Sequence, residues 1–214
     1  MTALLYLCTV VVAIGDWLAV RGRYFHLEYL LKPATLILLI LSAASSDLPG
    51  TKAWVLAALI LSLVGDVALM LSPDQAGRID PLFLGGLAAF LLAHICYIGA
   101  FAAHGLHGGY IAVGAVIAAV VAVVALPRIV TAAHRIGGTA LASTVIGYAL
   151  VLGVMVAFAV GTTAELTAVG GVLFLASDTL LAWGRMVRPV PSGPVTVAVT
   201  YHFAQLCLVL GLIV

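Results

Sequence analysis

Apolar residues run along the chain in eight blocks, at approximately 3–20, 33–46, 53–71, 82–103, 109–126, 139–161, 167–183 and 195–213. Most approach the ~20 residues that cross a bilayer as a helix. The 33–46 block is short and gains length from Leu30 and Leu31. The blocks are too long and too uniformly apolar for the alternating pattern of a membrane β-barrel. Between them lie turn formers: Arg-Gly-Arg at 21–23, Asp-Leu-Pro-Gly at 47–50, Ser-Pro-Asp at 72–74, His-Gly-Leu-His-Gly-Gly at 104–109 and Pro-Val-Pro-Ser-Gly-Pro at 189–194. The pattern predicts an all-α fold, an integral membrane bundle of eight transmembrane helices forming one domain over 1–214. The 3–20 block has no positive charge ahead of it and two arginines behind it, so it reads as a retained helix and not a cleaved leader.

Composition strengthens this reading. Hydrophobic residues make up 64% of the 214 and charged residues 8%, against about 25% charged in soluble domains. A net charge of +1 offers nothing to nucleic acid or to an acidic partner. Cys8, Cys96 and Cys207 each fall inside an apolar block without CxxC spacing, which points away from a disulfide framework or a cysteine metal site. The basic residues are lopsided. The odd-numbered loops hold Arg21, Arg23, Arg78, Arg128, Arg135, Arg185 and Arg188, and the even-numbered loops hold Lys52 alone. The positive-inside rule therefore predicts odd loops in the cytoplasm and both termini outside. The Ala/Val/Gly/Arg-rich composition favours a bacterial inner membrane.

Ionisable residues within a span are costly and mark function. Here they are Asp16, Lys32, Asp66, His94, Asp178 and His202, with Tyr97, Tyr148, Tyr201 and Gln205 as neutral companions. Asp16, Asp66 and Asp178 fall near the inner ends of helices 1, 3 and 7, roughly 6–9 Å below the boundary at 1.5 Å per residue. Lys32 starts helix 2 at the inner surface. His202 and His94 enter helices 8 and 4 from that same side, roughly 10 Å and 18 Å deep. All six can line one cavity that opens to the cytoplasm and narrows toward His94. For Asp16, beside Trp17, solvation near a helix end competes with function, and for Lys32, snorkelling to the headgroups does. Tyr148, alone on helix 6, reads as packing, and His104, His107 and His134 as loop residues.

A short repeat accompanies the pattern. Gly65-Asp66-Val-Ala-Leu-Met in helix 3 echoes Ser177-Asp178-Thr-Leu-Leu-Ala in helix 7, and His94-x-x-Tyr97 echoes His202-x-x-Gln205 in the helix that follows each. It suggests two parallel four-helix halves, each giving one Asp and one His to a shared centre.

Lys32-Pro33 at helix 2, Gly65-Asp66, Ala93-His94-x-x-Tyr97, Ser177-Asp178-x-x-Leu-Ala and Tyr201-His202-x-x-Gln205 together resemble the YhhN-like, lysoplasmalogenase family, over essentially the whole chain. The resemblance implies an eight-helix membrane enzyme that hydrolyses the vinyl ether bond of lysoplasmalogens, giving a fatty aldehyde and a glycerophospho-headgroup. Such cleavage protonates the β-carbon, and water attacks the resulting oxocarbenium ion. It needs an acid, an anion near the cation and a base for water, roles that two carboxylates in unlike surroundings divide. Asp66 and Asp178 are the expected pair, with His94 and His202 orienting water or a carboxylate. Lys32 would bind phosphate, and Tyr97, Tyr201, Gln205 and Asp16 would complete the substrate site. The expected partner is a single-chain amphiphilic lipid, with no cofactor. Two alternatives stay open. One is metal-dependent hydrolysis of another lysolipid, since two Asp and two His can ligate zinc. The other is proton-coupled or lipid transport.

Overall fold

The computed structural model describes residues 2–72 and 79–213. Arg78, counted in the charge asymmetry, and Pro73 and Asp74 of the third break lie outside the described residues. Among those described, the chain forms no strand, and seven continuous helical stretches are long and apolar enough to cross a membrane. One of the seven is two helices. The stretch Gly108–Gly161 leaves helical geometry at Gly137 (φ −135°, ψ 19°) and Gly138 (φ 67°, ψ −161°). The second of these lies in the left-handed region that glycine enters without a Cβ penalty. The arms fold back on each other: Gly114 packs on Ala157, Gly153 faces Ala118, and Gly161 packs on Ile111. These residue numbers rise on one arm as they fall on the other, which is an antiparallel hairpin without a loop.

The spans are α1 (Thr2–Gly22), α2 (Phe25–Ala44), α3 (Lys52–Leu71), α4 (Pro81–His104), α5 (108–136), α6 (139–161), α7 (Glu165–Ala182) and α8 (Gly193–Leu210). A π-helical turn, Trp183–Val187, continues α7. The protein is a multi-pass membrane bundle, and its side chains are sorted accordingly. On α1, Leu4, Leu7, Val11, Ile14 and Leu18 form one exposed stripe, while Thr9, Ala13, Asp16 and Ala19 are buried. Large branched residues thus face outward, and small and polar ones mediate helix contact, as expected where lipid is the solvent. The tightest pairs are α3 with α4, α7 with α8, and α1 with α2. Glycines make the close approaches, Gly65 under Phe90 and Gly170 against the backbone of Ala204 and Leu208.

Three boundaries differ from the sequence reading. Lys32-Pro33 does not open helix 2, which begins at Phe25 and carries Pro33 inside it. A proline forfeits one backbone bond, which membrane helices absorb. The polar residues His26, Glu28 and Lys32 had hidden this first part from a hydropathy pattern. Residues 127–138 are not a loop, since α5 passes through Pro127 to 136 and carries Arg128, His134 and Arg135 on its exposed surface. Helix 7 overshoots its apolar block through the π turn, whose Arg188 N–H donates to the Trp183 carbonyl. Two sets of contacts define the ends of the bundle. At one end the Tyr29 hydroxyl donates to the Met70 carbonyl, and Arg185 reaches Ser72 and Asp80. This arginine end carries Arg21, Arg23, Arg128, Arg135, Arg185 and Arg188. At the other end the hydroxyls of Tyr6 and Ser46 meet at 3.0 Å, and His107 N–H donates to the Gly161 carbonyl.

Candidate functional site

A cavity of about 330 Å³ lies at the arginine end, and its wall includes Lys32, Asp66, Phe90, Asp178, Arg185 and Tyr201. Five helices build it. Asp66 and Asp178 stand about a turn above the ends of α3 and α7, so each carboxyl is drawn from the apolar layer toward the wall of one space. A tyrosine from another helix holds each. The Tyr201 hydroxyl of α8 donates to Asp66 Oδ2 at 2.9 Å, and the Tyr148 hydroxyl of α6 donates to Asp178 Oδ2 at 2.6 Å. His94 of α4 places Nε2 3.8 Å from Asp178 Oδ2. Its ring stands edge-on to Phe174 and Tyr148, with centroids 4.7 and 5.5 Å away. Neither His94 nitrogen has a hydrogen-bond partner among the described residues, although the side chain is fully buried. A buried polar group left so is costly, which suits one aimed at a reacting group or a water.

The nine residues singled out from sequence fall into separate groups. Lys32, Asp66, Asp178 and Tyr201 line the cavity. His94 adjoins it through Asp178. His202 follows Tyr201 on α8 and therefore points about 100° away, toward α1. There the Trp17 indole N–H donates to His202 Nδ1 at 3.0 Å, and Asp16 Oδ2 lies 3.9 Å from the same nitrogen. Asp16 is fully buried, and neither of its oxygens accepts a hydrogen bond from a described residue. Tyr97 donates to Gln205 Oε1 in a buried pair between α4 and α8. The expected single cavity shared by Asp16, Lys32, Asp66, His94, Asp178 and His202 is thus replaced by a two-carboxylate cavity and an Asp16–Trp17–His202 cluster beside it. The physical reason is rotation. Tyr201 and His202 point about 100° apart on α8, and depth along the helix carries no information about azimuth.

Two residues of the site escaped the sequence reading in its functional sense. Tyr148 is bonded to a candidate carboxylate and is not simply packing. Arg185, counted as a loop charge, is 93% buried in the π turn and lies over the Phe83 ring, 4.8 Å from its centroid. It donates to Ser72 Oγ at 3.0 Å and approaches Asp80 Oδ2 at 3.5 Å. The Ser72 hydroxyl, 2.5 Å from Asp80 Oδ2, is the main reason the Asp80 carboxyl sits below its usual range, with the Leu82 and Phe83 N–H groups and Arg185 adding to the effect. Asp80 also caps α4 through those two N–H groups. The network ties the end of α3, the start of α4 and the π turn around the cavity. Among the described residues, no group of three or more His, Cys, Asp or Glu side chains is placed to hold a metal ion.

Residues 27–212 match the YhhN family. The chain is 32% identical over 165 residues to lysoplasmalogenase TMEM86B of Mus musculus, covering 76% of this chain and 65% of that protein. It is 28% identical over 156 residues to lysoplasmalogenase TMEM86B of Homo sapiens, covering 72% and 61%. It is 31% identical over 184 residues to lysoplasmalogenase of Mycobacterium bovis, covering 84% and 68%. The chain therefore spans a little under two thirds of the length of the mammalian relatives. No solved structure matches it.

Proposed function

The chain belongs to the YhhN family, and from that premise we propose that it is a membrane hydrolase cleaving the vinyl ether bond of lysoplasmalogens. The observation that carries the reading is the placement of two carboxylates, Asp66 and Asp178, on the wall of one cavity, each fixed by a tyrosine from another helix. A vinyl ether offers no acyl carbon to a nucleophile. Its hydrolysis turns on delivering a proton to carbon and on stabilising the cation that results. A paired acid and carboxylate in a water-poor cleft supplies both. Tyr148 orients Asp178, and His94, 3.8 Å from that carboxyl, is placed to position a water beside it. Lys32 and Arg185 bring positive charge to the same cavity and suit a headgroup phosphate. Tyr201 sets Asp66, while Tyr97 with Gln205 and Asp16 with His202 support α8 from behind.

Release of aldehyde tests the reading. Purified protein should give a fatty aldehyde from a lysoplasmalogen and leave the matched acyl lysophospholipid and a monoacylglycerol intact. In D₂O the reaction should slow, and the aldehyde should carry one solvent deuterium on its α-carbon, because the step that protonates carbon limits the rate. Aldehyde free of deuterium there, or fatty acid released from the acyl substrates, would dispose of it.

The arginine end faces the cytoplasm and both termini lie outside, on the positive-inside rule, in the bacterial cell membrane. With Cys8, Cys96 and Cys207 replaced by alanine, Arg188→Cys should react with a membrane-impermeant maleimide only after the cells are opened. Labelling of intact cells would reverse the orientation.

A further inference from the structure

A second cavity, of about 90 Å³, adjoins the first between α4, α5, α6 and α7. It is lined by small and branched apolar residues, among them Leu87, Ala122, Ala149 and Leu152. Phe83, Asp178 and Leu181 belong to both walls. Among the described residues, Asp178 is the only carboxylate on the apolar side, and Lys32, Asp66 and Arg185 are all on the other. The two spaces are thus an apolar one and a charged one, with one acid at their junction.

We propose that the apolar cavity receives the first carbons of the substrate's hydrocarbon chain, and that Asp178 is therefore the proton donor and Asp66 the base for water. The inference rests on the vinyl ether reading above and assigns its polarity. A vinyl ether bears its chain on the β-carbon and its headgroup on oxygen. With the phosphate among Lys32 and Arg185, the order along the substrate is phosphate, glycerol, oxygen, α-carbon, β-carbon, chain. The β-carbon, which takes the proton, then lies at the junction beside Asp178. The α-carbon, which takes water, lies on the Asp66 side. The space is small, about 90 Å³, so it takes the proximal carbons and the rest of the chain stays in the bilayer.

The steps balance. The π pair takes the Asp178 proton at the β-carbon, and an oxygen lone pair forms the oxocarbenium ion. Water adds to the α-carbon and gives a proton to Asp66. The hemiacetal hydroxyl then returns a proton to Asp178 as its oxygen becomes the aldehyde carbonyl. The bond to the glycerol oxygen breaks with its electron pair on that oxygen, which takes the proton from Asp66. One water is consumed, and both carboxyls regain their starting states.

Wild-type protein tests the placement directly. A saturated alkyl ether lysophosphoethanolamine with a diazirine on the third chain carbon should crosslink within 118–126 or 145–153. Crosslinks confined to α1, α2 or α8 would overturn the proposal. Ala149→Phe and Ala122→Phe fill the space from facing helices. Each should lower the kcat/KM ratio of a hexadecenyl over a propenyl vinyl ether about tenfold or more, as crowding of a hydrophobic subsite does. An unchanged ratio in variants that remain monodisperse would also overturn it. Wild-type protein that releases no aldehyde from either substrate would instead remove the underlying reading, and the role of Asp178 with it. Aldehyde release with crosslinks elsewhere would refute the orientation alone.

Discussion

Asp66→Asn and Asp178→Asn should each slow aldehyde release by about 10²–10⁴-fold, the usual worth of a general acid or base, while the protein stays folded in detergent. Tyr201 donates to Asp66 and Tyr148 donates to Asp178, and an asparagine carbonyl of the same size still accepts those bonds. An amide gives no proton to carbon, takes none from water and carries no charge to face an oxocarbenium ion. Because the two carboxyls act in one cycle, the double variant should be little slower than the worse single one. Measurement of kcat/KM on a lysoplasmalogen, with helix content checked by circular dichroism, decides the matter. Near-normal rates in either variant would remove that carboxyl from the mechanism.

What could be read from the chain alone divides along physical lines. Span number and the residues stranded inside spans follow from transfer energetics, a property of each segment by itself. Asp66 and Asp178 were therefore conspicuous: two acids within otherwise apolar blocks. Tyr148 was not, because one phenol on an apolar helix is compatible with packing until its partner is known. Arg185 looked like a loop charge because its desolvation is offset by Ser72, Asp80 and the Phe83 ring, which come from the ends of α3 and α4. The start of α2 was hidden for the opposite reason, as charged residues at the membrane edge can be helical without being apolar. Position along each helix was legible except for Lys32, which lies inside α2 and not at its start, and azimuth was not. The separation of His202 from Tyr201 onto different faces of α8 shows the difference.

Gly170→Ala should lower the melting temperature in detergent and take most of the activity with it, whereas Gly147→Ala should do neither. Both are helical glycines, and an alanine in place of glycine ordinarily favours a helix by about 1 kcal/mol. Their surroundings are opposite. A Cβ on Gly147 meets nothing within 4 Å, whereas one on Gly170 would lie 2.8 Å from the Leu208 nitrogen and 2.9 Å from the Ala204 carbonyl oxygen. Those obstacles are backbone and cannot rotate away, so α7 and α8 must separate. Overpacking of this kind costs about 1–3 kcal/mol and sometimes more, enough to reverse the helix preference. The damage reaches the site because Ser177 lies two turns along the same face as Gly170 and donates to the Val197 carbonyl of α8 at 3.3 Å. Asp178 is the next residue on α7, and Tyr201, which holds Asp66, is on α8. Parting the two helices shifts both carboxylates relative to each other, and small displacements of reacting groups cost rate steeply. Thermal melts and activity of the two purified variants make the comparison. Equal melting temperatures would show that the α7–α8 contact is not the constraint that positions the carboxylates.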